Sequence, residues 1–202
     1  MLERCNMFRL ILNIEDVDYN TLIDMVSDMV KKNKDNPALK GMKIPPMGFA
    51  MVKNLPKAQK NEMLAMVVNQ DKARTIQTME SVIGARVGAI RILNATGEAI
   101  SEGVQLTVDV KYFDFDRGID MFFPKYLENI DFNEALGDES ADKMSMQEFC
   151  QAVKELSVDN KEIVFLRSLR MKKEKFLYDL ECAIKGKGIS ARFSELKILV
   201  RR

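Results

Sequence analysis

The sequence predicts an α+β fold of two tandem, similar β-α-α-α-β modules, related by a pseudo-two-fold axis. Their strands would pool into one small mixed sheet with helices packed on it. Three observations carry this. Apolar and polar residues alternate over residues 8–14 and again over 106–110, the period of a half-buried strand. Between such stretches, apolar residues recur at helical spacing. Short motifs also return in the same order in each half. The expected bounds are residues 1–95 for the first module, 96–103 for a linker and 104–202 for the second module.

Taken in order, Phe8, Leu10, Leu12 and Ile14 make one face of the first strand. VDYNTLIDMV follows, and Leu22, Ile23, Val26, Met29 and Val30 form a helical stripe. GMKIPPMG, residues 41–48, is expected as a loop, because proline breaks a helix interior. Met63, Val67, Ile76, Met79 and Ile83 continue the helical spacing as a helix pair, with Asn69-Gln70-Asp71 as its break or cap. Ile90 to Leu93 supply the closing strand, and NATGEAISEG, residues 94–103, reads as the link between copies.

The second module repeats the scheme. Leu106, Val108 and Val110 face one way. FDFDRGIDMF follows, with Asp114 answering Asp18 and Ile119-Asp120-Met121 answering Ile23-Asp24-Met25. Both aspartates precede a helical pattern and are expected as N-caps. Asp116-Arg117-Gly118 would also suit the turn of a hairpin over residues 104–123, and Pro124 would kink a helix. The repeat favours the helix. Asn133-Glu134-Ala135-Leu136 echoes Asn36-Pro37-Ala38-Leu39, and Ala152 to Leu156 echo Met51 to Leu55. Leu180 to Ile184 echo Met79 to Ile83, and Leu196 to Leu199 echo Ile90 to Leu93. Phe149, Val153 and Leu156 mark one helix. Ile163, Leu166, Leu169, Phe176, Leu177, Leu180 and Ile184 mark a longer one, ended by Gly186 and Gly188. Doubling has a plain physical reason, since a two-stranded ribbon is marginal by itself.

Composition narrows function more than it names it. The 202 residues carry 31 basic and 30 acidic side chains, a net charge of +1, with no His and no Trp. Absence of His removes the commonest general acid–base, the Ser-His and Cys-His nucleophile pairs, and His metal sites. No apolar run reaches the roughly 18 residues of a membrane span, so no membrane partner is expected. Cys5, Cys150 and Cys182 lack metal-type spacing and suit thiols of a reducing compartment, so the expected location is the cytoplasm. GARVG at residues 84–88 and GKG at 186–188 follow helices, the reverse of a phosphate loop. No cofactor is expected.

Three candidate sites remain. Asp109, Asp114, Asp116 and Asp120 are weak candidates for oxygen ligation of Mg²⁺ or Ca²⁺, without EF-hand spacing; capping and solvation are the simpler account. Arg167, Arg170, Lys172, Lys173 and Lys175 give the C-terminal part a basic surface suited to phosphate, although no aromatic platform accompanies it. Acidic residues cluster over 128–142 and would complement it. The stretch 38–57 is apolar for a loop, and Met42, Ile44, Met47, Phe49 and Met51 suit burial under the helices or a soft surface for a protein partner. The leading expectation is a non-catalytic cytoplasmic interaction or assembly protein that binds other proteins or itself. The alternative is nucleic-acid binding through the basic C-terminal helix and strand. A carboxylate-metal enzyme ranks third.

Overall fold

A computed structural model describes residues 7–32, 46–83, 90–127, 132–137 and 144–201. The fold is α+β, with helices packed on a four-stranded sheet. β1 (Met7–Glu15) is followed by α1 (Tyr19–Lys32), α2 (Pro46–Lys53), α3 (Lys57–Gln70), α4 (Lys72–Ile83) and β2 (Ile90–Ala99). β3 (Gly103–Phe113) then leads through α5 (Phe115–Tyr126), α6 (Phe132–Leu136), α7 (Met146–Glu155), α8 (Val158–Met171) and α9 (Lys173–Lys185) to β4 (Arg192–Arg201).

The sheet order is β2-β3-β1-β4, and every neighbouring pair is antiparallel. The expected mixed sheet is thereby corrected. β1 and β2 do run parallel, as do β3 and β4, but a strand from the other half separates each such pair. Exchanging β1 with β3 and β2 with β4 returns the same order read from the other edge. This is the connectivity of the split β-α-β arrangement, with several helices where that motif has one.

The expected linker is also corrected. Thr96 to Ala99 belong to β2 and Gly103 opens β3, so only a tight turn separates the halves. Ile100 N–H donates to Gly103 O at 2.9 Å, and Gly103 N–H donates to Ile100 O at 3.3 Å. Gly103 admits no side chain, because a Cβ there would lie 1.8 Å from Ile14 O on the neighbouring strand.

Sheet alternation builds the core. Phe8, Leu10 and Leu12 of β1 and Val104, Leu106, Val108 and Val110 of β3 are buried on one face. The second half supplies most of the packing there. Phe113 meets Phe165 at 4.6 Å between ring centroids, Phe122 stacks on Tyr126 at 4.3 Å, and Phe123 and Phe149 are fully enclosed. The intervening residues Arg9, Ile11, Asn13, Gln105, Thr107 and Asp109 are half-buried on the opposite face.

The segment after β3 is helical, which excludes the hairpin. Asp114 caps α5 by accepting Arg117 N–H at 3.1 Å, and Pro124 sits inside that helix. Asp18 does the same for α1, accepting Thr21 N–H at 3.1 Å and the Thr21 hydroxyl at 2.6 Å. The proline-rich stretch is corrected in part: Pro46 opens α2, since a helix's first turn needs no N–H there. Residues 41–45 lie outside the described residues, as does GARVG. After α9 the left-handed position is Gly188, at φ +83°, whereas Gly186 stays helical. Gly188 N–H donates to Lys185 O at 2.9 Å and Ile189 N–H to Ile184 O at 3.2 Å, the bond pair of a Schellman turn.

Spacing between the halves is regular. α3 begins at Lys57 and α8 at Val158, an offset of 101 (158 minus 57), and each has 14 residues. α4 and α9 begin at Lys72 and Lys173 with the same offset. Earlier in the chain the offset is 96, from Asp18 to Asp114 (114 minus 18).

Candidate functional site

The four aspartates do not converge. Asp109 forms a two-pronged ion pair with Arg9, at 2.5 Å from Nε and 2.9 Å from Nη2. The resulting hydrogen bond holds the Arg9 guanidinium above its ordinary pKa. Asp114 is a cap, Asp116 pairs with Lys161 at 2.6 Å, and Asp120 pairs with Lys154. Among the described residues no group of three or more metal-type side chains is brought together.

The basic residues are largely turned to structural work. Arg167 Nη1 donates to Glu134 O at 3.4 Å and Ala135 O at 3.2 Å, tying α8 to α6. Arg170 Nη2 donates to Ile198 O at 3.2 Å on β4, an edge strand. Lys175 Nζ donates to Lys125 O at 2.6 Å and lies 5.5 Å from the Tyr126 ring centre. Lys172 and Lys173 form the junction between α8 and α9. The acidic stretch expected to complement these charges falls mainly outside the described residues.

Beside Lys175 lies a polar cluster in which Tyr126 is buried, Asp179 half-buried and Lys125 exposed. The Tyr126 hydroxyl donates to Asp179 Oδ2 at 2.6 Å, and Lys125 Nζ reaches the same oxygen at 2.6 Å. Burial and then the bond to Asp179 push the Tyr126 phenol well above its ordinary range. Burial opposes the Asp179 charge, but the bonds from Lys125 and Tyr126 outweigh it and lower its pKa. A phenol held neutral and a carboxylate held charged are poor proton carriers at neutral pH. Cys150 is buried, which together with Asp120 raises its thiol pKa.

The apolar candidates divide. Met42 and Ile44 lie outside the described residues, as does the side chain of Met47. Phe49 is half-buried in α2, and Met51 is exposed. A further apolar surface includes Met63 and Val67, which periodicity placed on the helical stripe, together with Met66. On α3, Met63 is 36% exposed, Met66 53% and Val67 55%. Asn61 and Ala65 face inward instead. Val26 on α1 is likewise exposed.

The reason lies in the close seating of α3 on β2. A Cβ on Gly97 would stand 3.4 Å from Ala65 Cα and 3.4 Å from Val68 Cβ, so a small strand residue meets a small helix residue. Asn61 fixes the helix rotation. It accepts from the Tyr19 hydroxyl at 2.6 Å and donates to Ile100 O at 2.8 Å and Ser101 O at 3.2 Å. With Asn61, Ala65 and Val68 against the sheet, Met63, Met66 and Val67 are turned to solvent. The signal available in the sequence was the unbroken run Met63 to Val68, which wraps the helix and forces some apolar side chains outward.

At an offset of 101, the counterparts of Met63 and Val67 on α8 are Val164, 4% exposed, and Ser168, 0% exposed. The counterpart of Met66 is Arg167, the residue bound to α6. The second half thus has a helix over this part of α8. Among the described residues, α3 has none.

No protein-family model, no curated protein and no solved structure matches this chain.

Proposed function

We propose that the protein is a non-catalytic interaction or assembly protein that works by protein–protein contact, with the outer side of α3 as its contact surface. The observation that carries this reading is the exposure of Met63, Met66 and Val67 where the corresponding side of α8 is covered. A stripe of methionine and valine is soft and apolar, and such a surface gains by being covered. The dispersal of the aspartates and the structural use of Arg167, Arg170 and Lys175 leave the metal and nucleic-acid readings with less support.

The same proposal includes the origin of the fold as two copies of one module. Several paired contacts support it. Lys53 pairs with Asp24 at 2.6 Å, and the corresponding Lys154 pairs with Asp120. Asn69 Nδ2 donates to Gly97 O at 2.8 Å on edge strand β2, as Arg170 donates to Ile198 O on edge strand β4. Arg9–Asp109 on the outer sheet face corresponds to Gln105–Asn13, whose amides bond at 3.2 Å. The proposed location is the cytoplasm, supported by the free thiols of Cys150 and Cys182.

The test is a photo-crosslinking side chain at Val67 in the full chain, activated in cells that produce the protein. Discrete protein adducts that disappear when Met63 and Met66 are both changed to Lys are expected. Absence of any protein adduct, or adducts indifferent to those changes, would reject the contact surface.

A further inference from the structure

The exposed seam of α3 reads the same in both directions. Gln59, Met63, Met66 and Gln70 are spaced by four, three and four residues, and all four are exposed. That spacing is the 3.5-residue repeat by which two helices pack side by side. A two-fold interface uses one patch on both molecules, so the patch must be complementary to itself. An antiparallel pairing of this seam meets that condition: Met63 faces Met66 of the other molecule, and Gln59 faces Gln70.

Charge does not oppose the pairing. The lysines near the N-terminal end of α3 are turned to other groups of their own chain. Lys57 pairs with Glu102 at 2.7 Å, and Lys60 donates to Lys53 O at 2.6 Å. The four seam residues are themselves uncharged, with amides at both ends and methionines at the centre, and the charged residues Lys60 and Glu62 flank the seam without lying on it. The fold also covers the corresponding stripe once within the molecule, where Arg167 of α8 holds α6.

We infer that α3 binds α3 of a second copy of this chain, antiparallel across a two-fold axis, with Val67 packing beside the methionine pair. This inference rests on the contact surface proposed above and names its occupant. Two methionines and a valine from each copy make a small interface, so the dimer is weak and its population depends on concentration.

The test is the mass of the full chain against concentration, by sedimentation equilibrium, for wild type and three variants. Wild type should rise from the 23.1 kDa monomer towards twice that mass. Met66→Glu should remain monomeric with an unchanged melting temperature. Gln59→Lys with Gln70→Lys sets like charges opposite each other and should weaken association by more than about tenfold. Gln59→Lys with Gln70→Glu sets opposite charges together and should restore it to wild-type strength or better. The two glutamine pairs alter only exposed positions, so they decide the matter even if Met66→Glu fails to fold. Wild type monomeric at every concentration would overturn the pairing, and so would a dimer indifferent to both glutamine pairs. Protection of Met63 and Met66 from peroxide in the monomer would also overturn it, because the chain itself then covers the seam. A monomer whose Val67 crosslinks to another protein would overturn the pairing and leave the contact surface standing. A monomer with no adduct would overturn both.

Discussion

Asp18 and Asp114 show how much one residue position specifies. Each follows a strand and starts a helix by accepting an N–H of the first turn. The capping bond needs an oxygen acceptor, not a charge, so Asp114→Asn should be nearly silent. Asp114→Ala should cost about 1 kcal/mol in a urea melt. Asp18 has a further dependence on acid. Hydrogen bonds from Thr21, the side-chain bond first, lower its pKa in the folded chain. A depressed carboxylate stabilises the fold above its unfolded value, near pH 4, and that contribution is lost as pH falls through the lower folded value. Comparing acid unfolding of wild type with Asp18→Asn checks this. The variant should lose less stability between pH 4 and pH 2, and parallel curves would show that the charge contributes nothing.

At the scale of elements, the two edge strands are handled alike. Among the described residues β2 and β4 each have one neighbouring strand, so each presents backbone groups along its other side that no described strand pairs. Asn69 takes Gly97 O on one edge and Arg170 takes Ile198 O on the other. Glu181 Oε1 also accepts Phe193 N–H at 2.8 Å on β4. Removing either polar cap should cost about 1 kcal/mol and leave an edge carbonyl open to another chain. Asn69→Ala and Arg170→Ala should therefore aggregate faster on mild heating, measured by light scattering, with the double variant fastest. For Arg170 this separates two roles. A structural cap lowers stability at any salt concentration, whereas a phosphate contact would leave stability alone and weaken nucleic-acid binding, most clearly at low salt.

Across the whole molecule, neither half can make a sheet with its own strands. Among the described strands, β1 lies between β3 and β4, and β2 pairs only with β3. A chain cut at the turn between Ser101 and Glu102 would leave each fragment with two strands that are not neighbours. Fragments 1–101 and 102–202 should thus show little strand signal apart and regain it when mixed, read by circular dichroism in the far ultraviolet. A first fragment that formed a stable monomeric sheet by itself would contradict the interleaved topology. The core is shared unequally as well. Phe123, Phe149 and Phe165 fill the second half, where the first has Ser27, Gly48 and Leu64 at the matching offsets. Phe123→Ala should cost about 3–5 kcal/mol.

Local rules made much of this legible before any fold was known. Alternation at residues 8–14 and 106–110 identified β1 and β3, because a strand between helices and water must alternate. The caps at Asp18 and Asp114 and the break at Asp71 could be read because each depends on residues within one turn. Three things depended on distant partners. The neighbours of β2 and β4 were settled by the interleaving of the halves, which turned an expected linker into a hairpin. Which carboxylates found lysines was settled by helix packing, so Asp116 and Asp120 became ion pairs in place of a ligand cluster. The outward side of α3 was settled by Gly97 and Asn61, since the apolar run Met63 to Val68 wraps the helix and sets no rotation by itself. Sequence determines what one segment can do within a turn or a strand; only the folded chain decides which surface is left over, because that depends on what packs against every other surface.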